Sequence, residues 1–205
     1  MSELAGGPDG SSRDAATAVT HRRVIHDELL ASLASPEAAA AIERSAALIA
    51  QSLARGGKAI FFGNGGSAAD AEHIAAELVG RYRADRRPLA AMSLGANAAV
   101  ASALANDFGY EQAFARELDA LASPDDVAIA ITTSGRSANI LAALQLARSK
   151  GVSTVAITGL GHQLDQLADS LVVVESSVVA LIQEIHAVVG HVICELVEAE
   201  MGFAA

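Results

Sequence analysis

The sequence predicts an α/β domain with a doubly wound, five-stranded parallel sheet covered by helices on both faces. Short apolar segments alternate with longer stretches of helical periodicity along most of the 205 residues. The predicted strands are apolar throughout, which is typical of parallel sheets that are buried on both faces. A hydrophobic fraction of 52% is ample for a large core in one domain of this length.

Composition excludes several classes of protein. The chain carries 24 acidic and 14 basic residues, and the resulting net charge of −10 argues against nucleic-acid binding. Its apolar stretches are interrupted by charges before they reach the ~18 residues of a membrane span. Residues 1–14 lack the apolar segment of a secretory signal, and the single cysteine, Cys194, suits a reducing compartment. We therefore expect a cytoplasmic protein without nucleic-acid or membrane partners.

Two predicted helices precede the first strand. Apolar residues recur at helical spacing over residues 15–33 and again over 37–55, where Pro36 favours a helix start and Gly56-Gly57 a helix end. These helices and the apolar final helix supply more apolar surface than one sheet needs. We expect the surplus to pack between subunits of an oligomer, with residues 1–14 as a flexible tail and 15–205 as a single domain.

From residue 58 onward, strands and helices alternate. Five strands are predicted, at residues 58–62, 89–94, 126–132, 153–158 and 170–175. Further helices are predicted at residues 67–82, 97–106, 111–121, 137–150 and 178–200. Ser137 is the expected N-cap of the fourth of these helices.

A glycine-rich turn, Gly63-Asn64-Gly65-Gly66-Ser67, follows the first predicted strand and leads directly into a helix. Glycines let the backbone approach a ligand closely, and a helix N-terminus offers free N–H groups to an anion. In doubly wound sheets, ligands bind outside the carboxyl ends of the strands, where this turn lies. The alternative is an ordinary strand-to-helix turn.

A hydroxyl-rich turn, Thr132-Thr133-Ser134-Gly135-Arg136-Ser137, follows the third predicted strand. Its four hydroxyls at a helix start form a set of neutral donors that suits a phosphate group. The alternative is N-capping by Ser137, with the other hydroxyls incidental. Because one hydroxyl is enough for a cap, the four together favour a ligand.

Neither turn fits the common nucleotide-binding patterns. The sequence contains no Gly-x-x-x-x-Gly-Lys-Ser/Thr phosphate loop. Gly63, Gly65 and Ala68 match a dinucleotide fingerprint loosely, but the second predicted strand ends near Ser93 without the acidic residue that would bind a ribose. The sequence therefore argues against a nicotinamide cofactor.

Candidate metal ligands and acid–base residues lie on two predicted helices. His73 and Glu77 are four residues apart and project from one helix face, while Gln183, His186 and His191 lie on the final helix. Imidazole and carboxylate groups are common zinc ligands, so two histidines and one glutamate would suit that metal. The alternative is a surface His–Glu pair together with core histidines.

Four motifs occur together in a specific order. They are residues 63–82, from Gly63-Asn64-Gly65-Gly66-Ser67 through His73 and Glu77 to Gly80-Arg81-Tyr82; Ala105-Asn106-Asp107-Phe108-Gly109-Tyr110; Thr133-Ser134-Gly135; and Ile182-Gln183-Glu184-Ile185-His186. Jointly they resemble the phosphoheptose isomerases of the sugar-isomerase (SIS) fold. The resemblance extends over most of the chain beyond the first thirty residues.

The resemblance implies an isomerase that interconverts sedoheptulose 7-phosphate and D-glycero-D-manno-heptose 7-phosphate through an enediol-like intermediate. It also implies a homotetramer with sites near subunit interfaces and one Zn²⁺ per subunit. The implied base is Glu77 and its acid partner is His191. The implied zinc ligands are His73, Glu77, Gln183 and His191. The implied substrate contacts are Asn64, Gly65, Gly66, Ser67, Arg81, Asn106, Asp107, Thr132, Thr133, Ser134, Ser137 and Gln183.

The implied ligand set contains a geometric tension. Gln183 and His191 are eight residues apart, about 12 Å along a regular helix. They share one metal only if Gln183 lies at a frayed helix start or if the two come from different subunits. The chain also departs from the family in residues 174–181, which lack the usual Pro, Asp and Arg, and at Arg136 and Thr132, where Asn and Ser are more common.

A second hypothesis is a non-catalytic SIS relative that binds a protein, such as a replication initiator, or senses a phosphosugar. Such relatives keep the fold but lose part of the acid–base set. Because His73, Glu77, Gln183 and His191 are all present, the sequence favours an enzyme. Whether zinc is catalytic or structural stays open at this point, since a tightly held carboxylate is a poor free base.

Overall fold

A computed structural model describes residues 14–203 of the chain. The predicted flexible tail, apart from Asp14, lies outside the described residues. Seven α-helices and a 3₁₀ turn are present in this part of the chain: α1 Ala15–Leu33, α2 Pro36–Ala54, α3 Gly66–Val79, α4 Ala98–Phe108, the 3₁₀ turn Tyr110–Gln112, α5 Ala113–Leu121, α6 Ala138–Ser149 and α7 Val179–Glu200.

One parallel sheet forms the centre of the described residues, which confirms the predicted fold class. Its strands are β1 Ala59–Gly63, β2 Ala91–Ser93, β3 Val127–Ile131, β4 Ser153–Gly159 and β5 Ser170–Val174. They are arranged in the order β2-β1-β3-β4-β5. From β1 the chain first adds β2 at one edge of the sheet. It then crosses to the other side of β1, where it adds β3, β4 and β5 in turn. This change of direction places the ends of β1 and β3 side by side.

The two faces of the sheet are buried in separate hydrophobic clusters. Phe61 and Ile129 point toward the face covered by α2, α3 and α7. Ile60 and Phe62 point toward the opposite face, where α5 and α6 pack. Successive residues of a strand project to opposite faces, so both must be apolar when helices cover both sides. This is the physical basis of the uniformly apolar strands.

Several predicted bounds shift for local reasons. The helix predicted to reach residue 82 ends at Val79, where Gly80 follows and the Arg86 side chain donates to the carbonyls of Glu77 and Leu78. The strand predicted over 89–94 is only Ala91–Ser93 at the sheet edge. The helix predicted over 111–121 begins with a 3₁₀ turn before α5.

The N-terminal helices differ in how firmly they belong to the core. α2 buries eight residues along one face, whereas α1 buries only Leu29 and Leu33, and Val19 is 68% exposed. In residues 14–203, only α7 is long and apolar enough to cross a membrane by length and composition. It packs against the sheet as a core helix, with Ile185 and Val189 almost fully buried.

Candidate active site

The glycine-rich turn connects β1 to α3 at the carboxyl edge of the sheet. Gly65 occupies the N-cap position with φ +59°, a left-handed conformation that favours glycine. The Ser67 and Ala68 amides donate to the carbonyls of Asn64 and Gly65. Within residues 14–203 the Gly66 amide has no such partner, so it can donate to an anionic oxygen. The Gln183 side chain lies directly against Gly66, where a Cβ would collide with it. Ser67 is buried behind the turn.

The hydroxyl-rich turn connects β3 to α6 beside the first turn. Thr132 Oγ1 accepts from the Gly135 amide at 3.2 Å, and Ser134 Oγ accepts from the Arg136 amide at 3.3 Å. Ser137 is the N-cap residue of α6, as predicted, but its side chain bonds none of the helix amides. The proposed capping role of its hydroxyl is therefore wrong for this structure. That hydroxyl is free to contact a ligand.

The last residue of β4 and the segment that follows it hold the hydroxyl-rich turn in place. The Gly159 amide donates to Thr133 O, and the Gln163 amide donates to Gly135 O, both at 3.2 Å. Arg136 Nε donates to Gly161 O at 2.5 Å. These three bonds fix the turn without using its hydroxyls. Arg136, one of the departures from the family pattern, thus helps to link the two segments.

The two turns are joined to each other by a pair of amide side chains. Asn64, in the glycine-rich turn, exchanges two hydrogen bonds with Asn139 at the start of α6. The Tyr110 hydroxyl also donates to Asn64 Oδ1, at 2.8 Å. Sequence reasoning missed Asn139, since an asparagine in a first helical turn carries no signal that distinguishes it from a capping residue.

Three titratable side chains meet where α3 and α7 pack side by side. His73 Nε2 lies 3.4 Å from Glu77 Oε1 and 3.4 Å from His191 Nε2. One ligand atom from each of the three residues lies within 4.8 Å of the other two. The Tyr82 ring stacks on the His191 ring at a centroid distance of 5.4 Å. The structure therefore brings together His73, Glu77 and His191, which are up to 118 residues apart in sequence.

The close approach of the two helices explains this meeting. α3 and α7 run in the same direction, with Gly66 beside Gln183 at their starts and Ile74 beside Gly190 further along. A Cβ on Gly190 would collide with Ile74, so glycine is what allows this close contact. The approach places His191, the next residue on α7, opposite His73.

A buried ion pair anchors the segment that carries Tyr82. Arg86 Nε donates to Glu198 Oε1 at 2.7 Å, and both side chains are almost completely buried. The amides of Tyr82, Arg83 and Ala84 also donate to the Glu198 carboxylate. Burial alone would raise the pKa of Glu198, but these amides and Arg86 outweigh it and lower that pKa. Glu198 is therefore held as a carboxylate beneath the cluster.

The structure separates Gln183 from the three clustered residues. α7 is continuous from Val179 to Glu200, so Gln183 does not lie at a frayed start. About 12 Å of helical rise separates it from His191. The sequence left two ways for Gln183 and His191 to share a metal, a frayed helix start or ligands from different subunits. Only the second is compatible with this helix.

The other predicted contacts lie on exposed segments. Arg81 is exposed just after α3. Asn106 and Asp107 are exposed near the end of α4, and Asn106 Nδ2 donates to Asp107 Oδ1 at 2.7 Å. α4 buries none of its residues in this chain.

Three further groups clarify which residues are chemically available. Asp70 lies on the same stripe of α3 as His73 and Glu77, and burial raises its pKa. It was missed, although the spacing 70, 73, 77 marks one helix face. His186 is a core histidine whose pKa burial lowers to about 4, so it is neutral. Burial raises the pKa of the Cys194 thiol to about 12, so this buried residue stays a thiol.

Comparison with known proteins agrees with this architecture. Residues 27–159 match the SIS domain family. The chain is 54% identical over 149 residues to a phosphoheptose isomerase from Paramagnetospirillum magneticum, which covers 72% of this chain and 78% of that protein. It is 50% identical over 154 residues to one from Aquifex aeolicus, covering 75% and 81%.

Solved structures give the same result. A phosphoheptose isomerase from Francisella tularensis superposes with a TM-score of 0.84 at 30% identity, covering 91% of this chain and 99% of that one. A phosphoheptose isomerase from Neisseria gonorrhoeae gives 0.79 at 32% identity, covering 90% and 96%. The similarity therefore spans nearly the whole of both solved chains.

Proposed function

The chain belongs to the phosphoheptose isomerase family of SIS-domain proteins, and from its site we infer how it interconverts sedoheptulose 7-phosphate and D-glycero-D-manno-heptose 7-phosphate. The observation that carries the inference is the meeting of Glu77 with His73 and His191. A ketose–aldose isomerase needs a base that removes a proton from carbon and an acid that protonates the neighbouring oxygen.

The reaction moves a carbonyl group between C2 and C1 of the sugar. Glu77 takes a proton from C1 of the ketose and returns a proton to C2, which leaves an aldose. His191 delivers a proton to the developing oxygen and removes one from the neighbouring hydroxyl, so no atom is gained or lost. Positioned general acids and bases typically accelerate such steps by about 10²–10⁴-fold.

We propose that the glycine-rich and hydroxyl-rich turns bind the rest of the substrate. Thr132, Thr133, Ser134 and Ser137 offer neutral donors to the phosphate, and the Gly66 amide at the start of α3 adds to them. The turn is fixed by the segment after β4, so its donors are positioned before the phosphate arrives. The sugar hydroxyls are assigned to Asn64, Gly65, Gly66, Ser67, Arg81, Asn106, Asp107 and Gln183.

The three clustered residues fit a divalent metal. Two imidazoles and a carboxylate with ligand atoms within 4.8 Å of one another match the donor set of Zn²⁺ in proteins. His73, Glu77 and His191 would hold the ion, one per protomer. Because a tightly held carboxylate is a poor free base, Glu77 would have to be a weakly held ligand in order to act as the base as well. When bound, it would polarise a substrate oxygen as a Lewis acid.

The geometry favours a site shared between protomers of a homotetramer. Gly66 and Glu77 are separated by about 16 Å of rise along α3, so the turns and the cluster of one chain are far apart for one small substrate. A neighbouring protomer that supplied its own turns, with Gln183 beside them, would complete the site and add the fourth ligand. An apolar groove between α1, α2 and α7, lined by Leu30, Val188 and Val192, offers a surface for such assembly. We place the assembled enzyme in the cytoplasm.

A non-catalytic relative is the weaker alternative. Such a protein has no need of a converging acid–base pair, yet Glu77 and His191 converge here. The high identity to phosphoheptose isomerases also favours an enzyme.

The direct test is an assay of sedoheptulose 7-phosphate isomerisation, with and without a chelator. We expect aldose formation by the purified chain and a tetramer by light scattering. Activity that is lost with the chelator and restored by Zn²⁺ would make the metal catalytic, whereas activity that survives chelation would make it structural. No conversion under either condition would contradict the proposed function.

A further inference from the structure

A pair of amide side chains joins the glycine-rich turn to the start of α6, directly after the hydroxyl-rich turn. Asn139 is only 3% exposed, and its Nδ2 donates to Asn64 Oδ1 at 2.8 Å. In return, Asn64 Nδ2 donates to Asn139 Oδ1 at 3.0 Å. The Tyr110 hydroxyl donates to the same Asn64 Oδ1 at 2.8 Å. Neither Asn139 nor Tyr110 is among the expected substrate contacts.

The backbone determines which way both amides face. The Ile140 amide can only donate, and it lies 3.0 Å from both Ser137 O and Asn139 Oδ1. An NH₂ group in place of Asn139 Oδ1 would set two donors against each other, which favours oxygen at this position. Asn139 therefore presents its NH₂ group to Asn64, so the atom of Asn64 that receives it must also be oxygen. The two hydrogen bonds from Asn139 and Tyr110 occupy both lone pairs of Asn64 Oδ1.

One hydrogen of Asn64 is left for a ligand. Its Nδ2 carries two hydrogens, and one of them is used by Asn139 Oδ1. Within residues 14–203, no other group accepts from this nitrogen. Asn64 is half-buried at the carboxyl edge of the sheet, so the remaining hydrogen belongs to an accessible side chain.

We propose that Asn139 and Tyr110 are positioning residues that make Asn64 a hydrogen-bond donor, and not an acceptor, toward an oxygen of the sugar phosphate. The proposal rests on the proposed function, because that function makes Asn64 a substrate contact. Turning the Asn64 amide over would set its oxygen against Asn139 Oδ1 and its NH₂ group against Asn139 Nδ2. Both buried polar atoms of Asn139 would then lose their partner on Asn64, which is costly. The donor is therefore fixed before the substrate binds.

The test uses variants that change the polarity of the network while keeping its shape. Asn139→Asp retains an acceptor for Ile140 but cannot donate to Asn64 as a carboxylate. Tyr110→Phe removes one donor to Asn64 from an exposed position. Asn64→Ala removes the side chain that the others orient. Asn97→Asp is the matched control, since Asn97 only accepts from amides at the start of α4 and an aspartate does the same.

The kinetic constants kcat and KM, the Kd for sedoheptulose 7-phosphate and the melting temperature are measured for each full-length variant. We expect kcat/KM to fall ~10-fold in Asn64→Ala and in Asn139→Asp, and ~3-fold in Tyr110→Phe. Asn97→Asp is expected to match the wild type. The melting temperatures of Tyr110→Phe and Asn97→Asp are expected to stay at the wild-type value.

Double variants separate positioning from general stability. If Asn139 and Tyr110 act through Asn64, then adding either change to Asn64→Ala causes no further loss of kcat/KM. Independent structural effects would instead multiply, giving ~100-fold and ~30-fold losses. Should Asn139→Asp fail to fold, the Asn64→Ala and Tyr110→Phe cycle decides alone.

The outcomes distinguish this proposal from the function on which it rests. Multiplicative losses, or wild-type kcat/KM in both Asn139→Asp and Tyr110→Phe, would overturn the positioning role while leaving the isomerase intact. A wild-type protein that binds the sugar phosphate without converting it would contradict the proposed function. In that case the same variants are compared by Kd, and non-additive losses of affinity would still support the positioning role.

Discussion

The two parts of the candidate site are built in different ways. The paired turns are tied together within one chain by neutral hydrogen bonds, including those between Asn64 and Asn139 and those from the segment after β4. The titratable cluster is joined by longer contacts, since His73 Nε2 lies 3.4 Å from both Glu77 Oε1 and His191 Nε2. The turns are thus complete before a ligand arrives, whereas the cluster is arranged to receive an ion or a substrate.

This difference suits what each part has to do. A phosphate group needs fixed donors, and rigid ones lose little entropy on binding. A proton-transfer centre instead needs groups whose protonation can change, which strong internal ion pairs would prevent. The cluster is supported by a neighbouring group instead. The buried Arg86–Glu198 pair anchors the segment of Tyr82, whose ring stacks on His191.

The largest expected effect is on the titratable cluster itself. Glu77→Gln removes the base while preserving shape, so we expect kcat to fall by about 10²–10⁴-fold with the melting temperature unchanged. The matched control is Glu72→Gln, an exposed change on the same helix, which should retain wild-type turnover. Undiminished conversion by Glu77→Gln would eliminate the proposed base.

His191→Ala tests whether one residue of the cluster serves both zinc binding and turnover. We expect the bound zinc per protomer, measured by elemental analysis, to drop well below that of the wild type, with kcat reduced by about 10²-fold. His21→Ala, an exposed histidine change on α1, is the control. Metal content that is unaffected in His191→Ala would separate this residue from the ion.

Breaking the buried Arg86–Glu198 pair is expected to destabilise the fold. Glu198→Gln leaves Arg86 buried without its charge partner, so the free energy of unfolding should fall by about 3–5 kcal/mol. The control is Glu195→Gln. Glu195 lies on the same helix as Glu198 but forms an exposed pair with Arg83, so this change should lower the free energy of unfolding by less than about 1 kcal/mol. Chemical denaturation measures both, and equal losses in the two variants would refute the anchoring role.

The same pair gives a pH dependence with a definite sign. The folded-state pKa of Glu198 lies below its ordinary value of 4.5, so its stabilisation is present above that value and is lost as pH falls through the lowered pKa. The gap in unfolding free energy between wild type and Glu198→Gln should therefore narrow between pH 7 and the acid range. A gap that is constant with pH would contradict this assignment.

The smallest expected effect is at a single hydroxyl of the turns. Ser134→Ala removes one of several neutral donors, so KM should rise only by about 3–10-fold and kcat should change little. Ser149→Ala, at the far end of α6, is the control. A large fall in kcat in Ser134→Ala would mean that the turn takes part in the chemistry rather than in binding.

Local sequence patterns were enough for the fold but only for part of the site. Uniformly apolar strands and glycine breaks predicted the five strands and their flanking helices, because these features reflect burial and backbone conformation. The pairing of His73 with His191 depends on how closely α3 approaches α7, which Gly190 allows and no local pattern encodes. The same holds for Arg86 and Glu198, which meet across the packing of two distant segments.

The central claim is that Glu77 moves the proton at the carbon beside the carbonyl. The most direct measurement is conversion of sedoheptulose 7-phosphate in D₂O by wild type and Glu77→Gln, with aldose formation and deuterium at its C2 followed by NMR. We predict deuterium-labelled aldose from the wild type and, from Glu77→Gln, a rate lower by at least ~100-fold with the sugar phosphate still bound. Labelled aldose formed by Glu77→Gln at the wild-type rate would contradict the account.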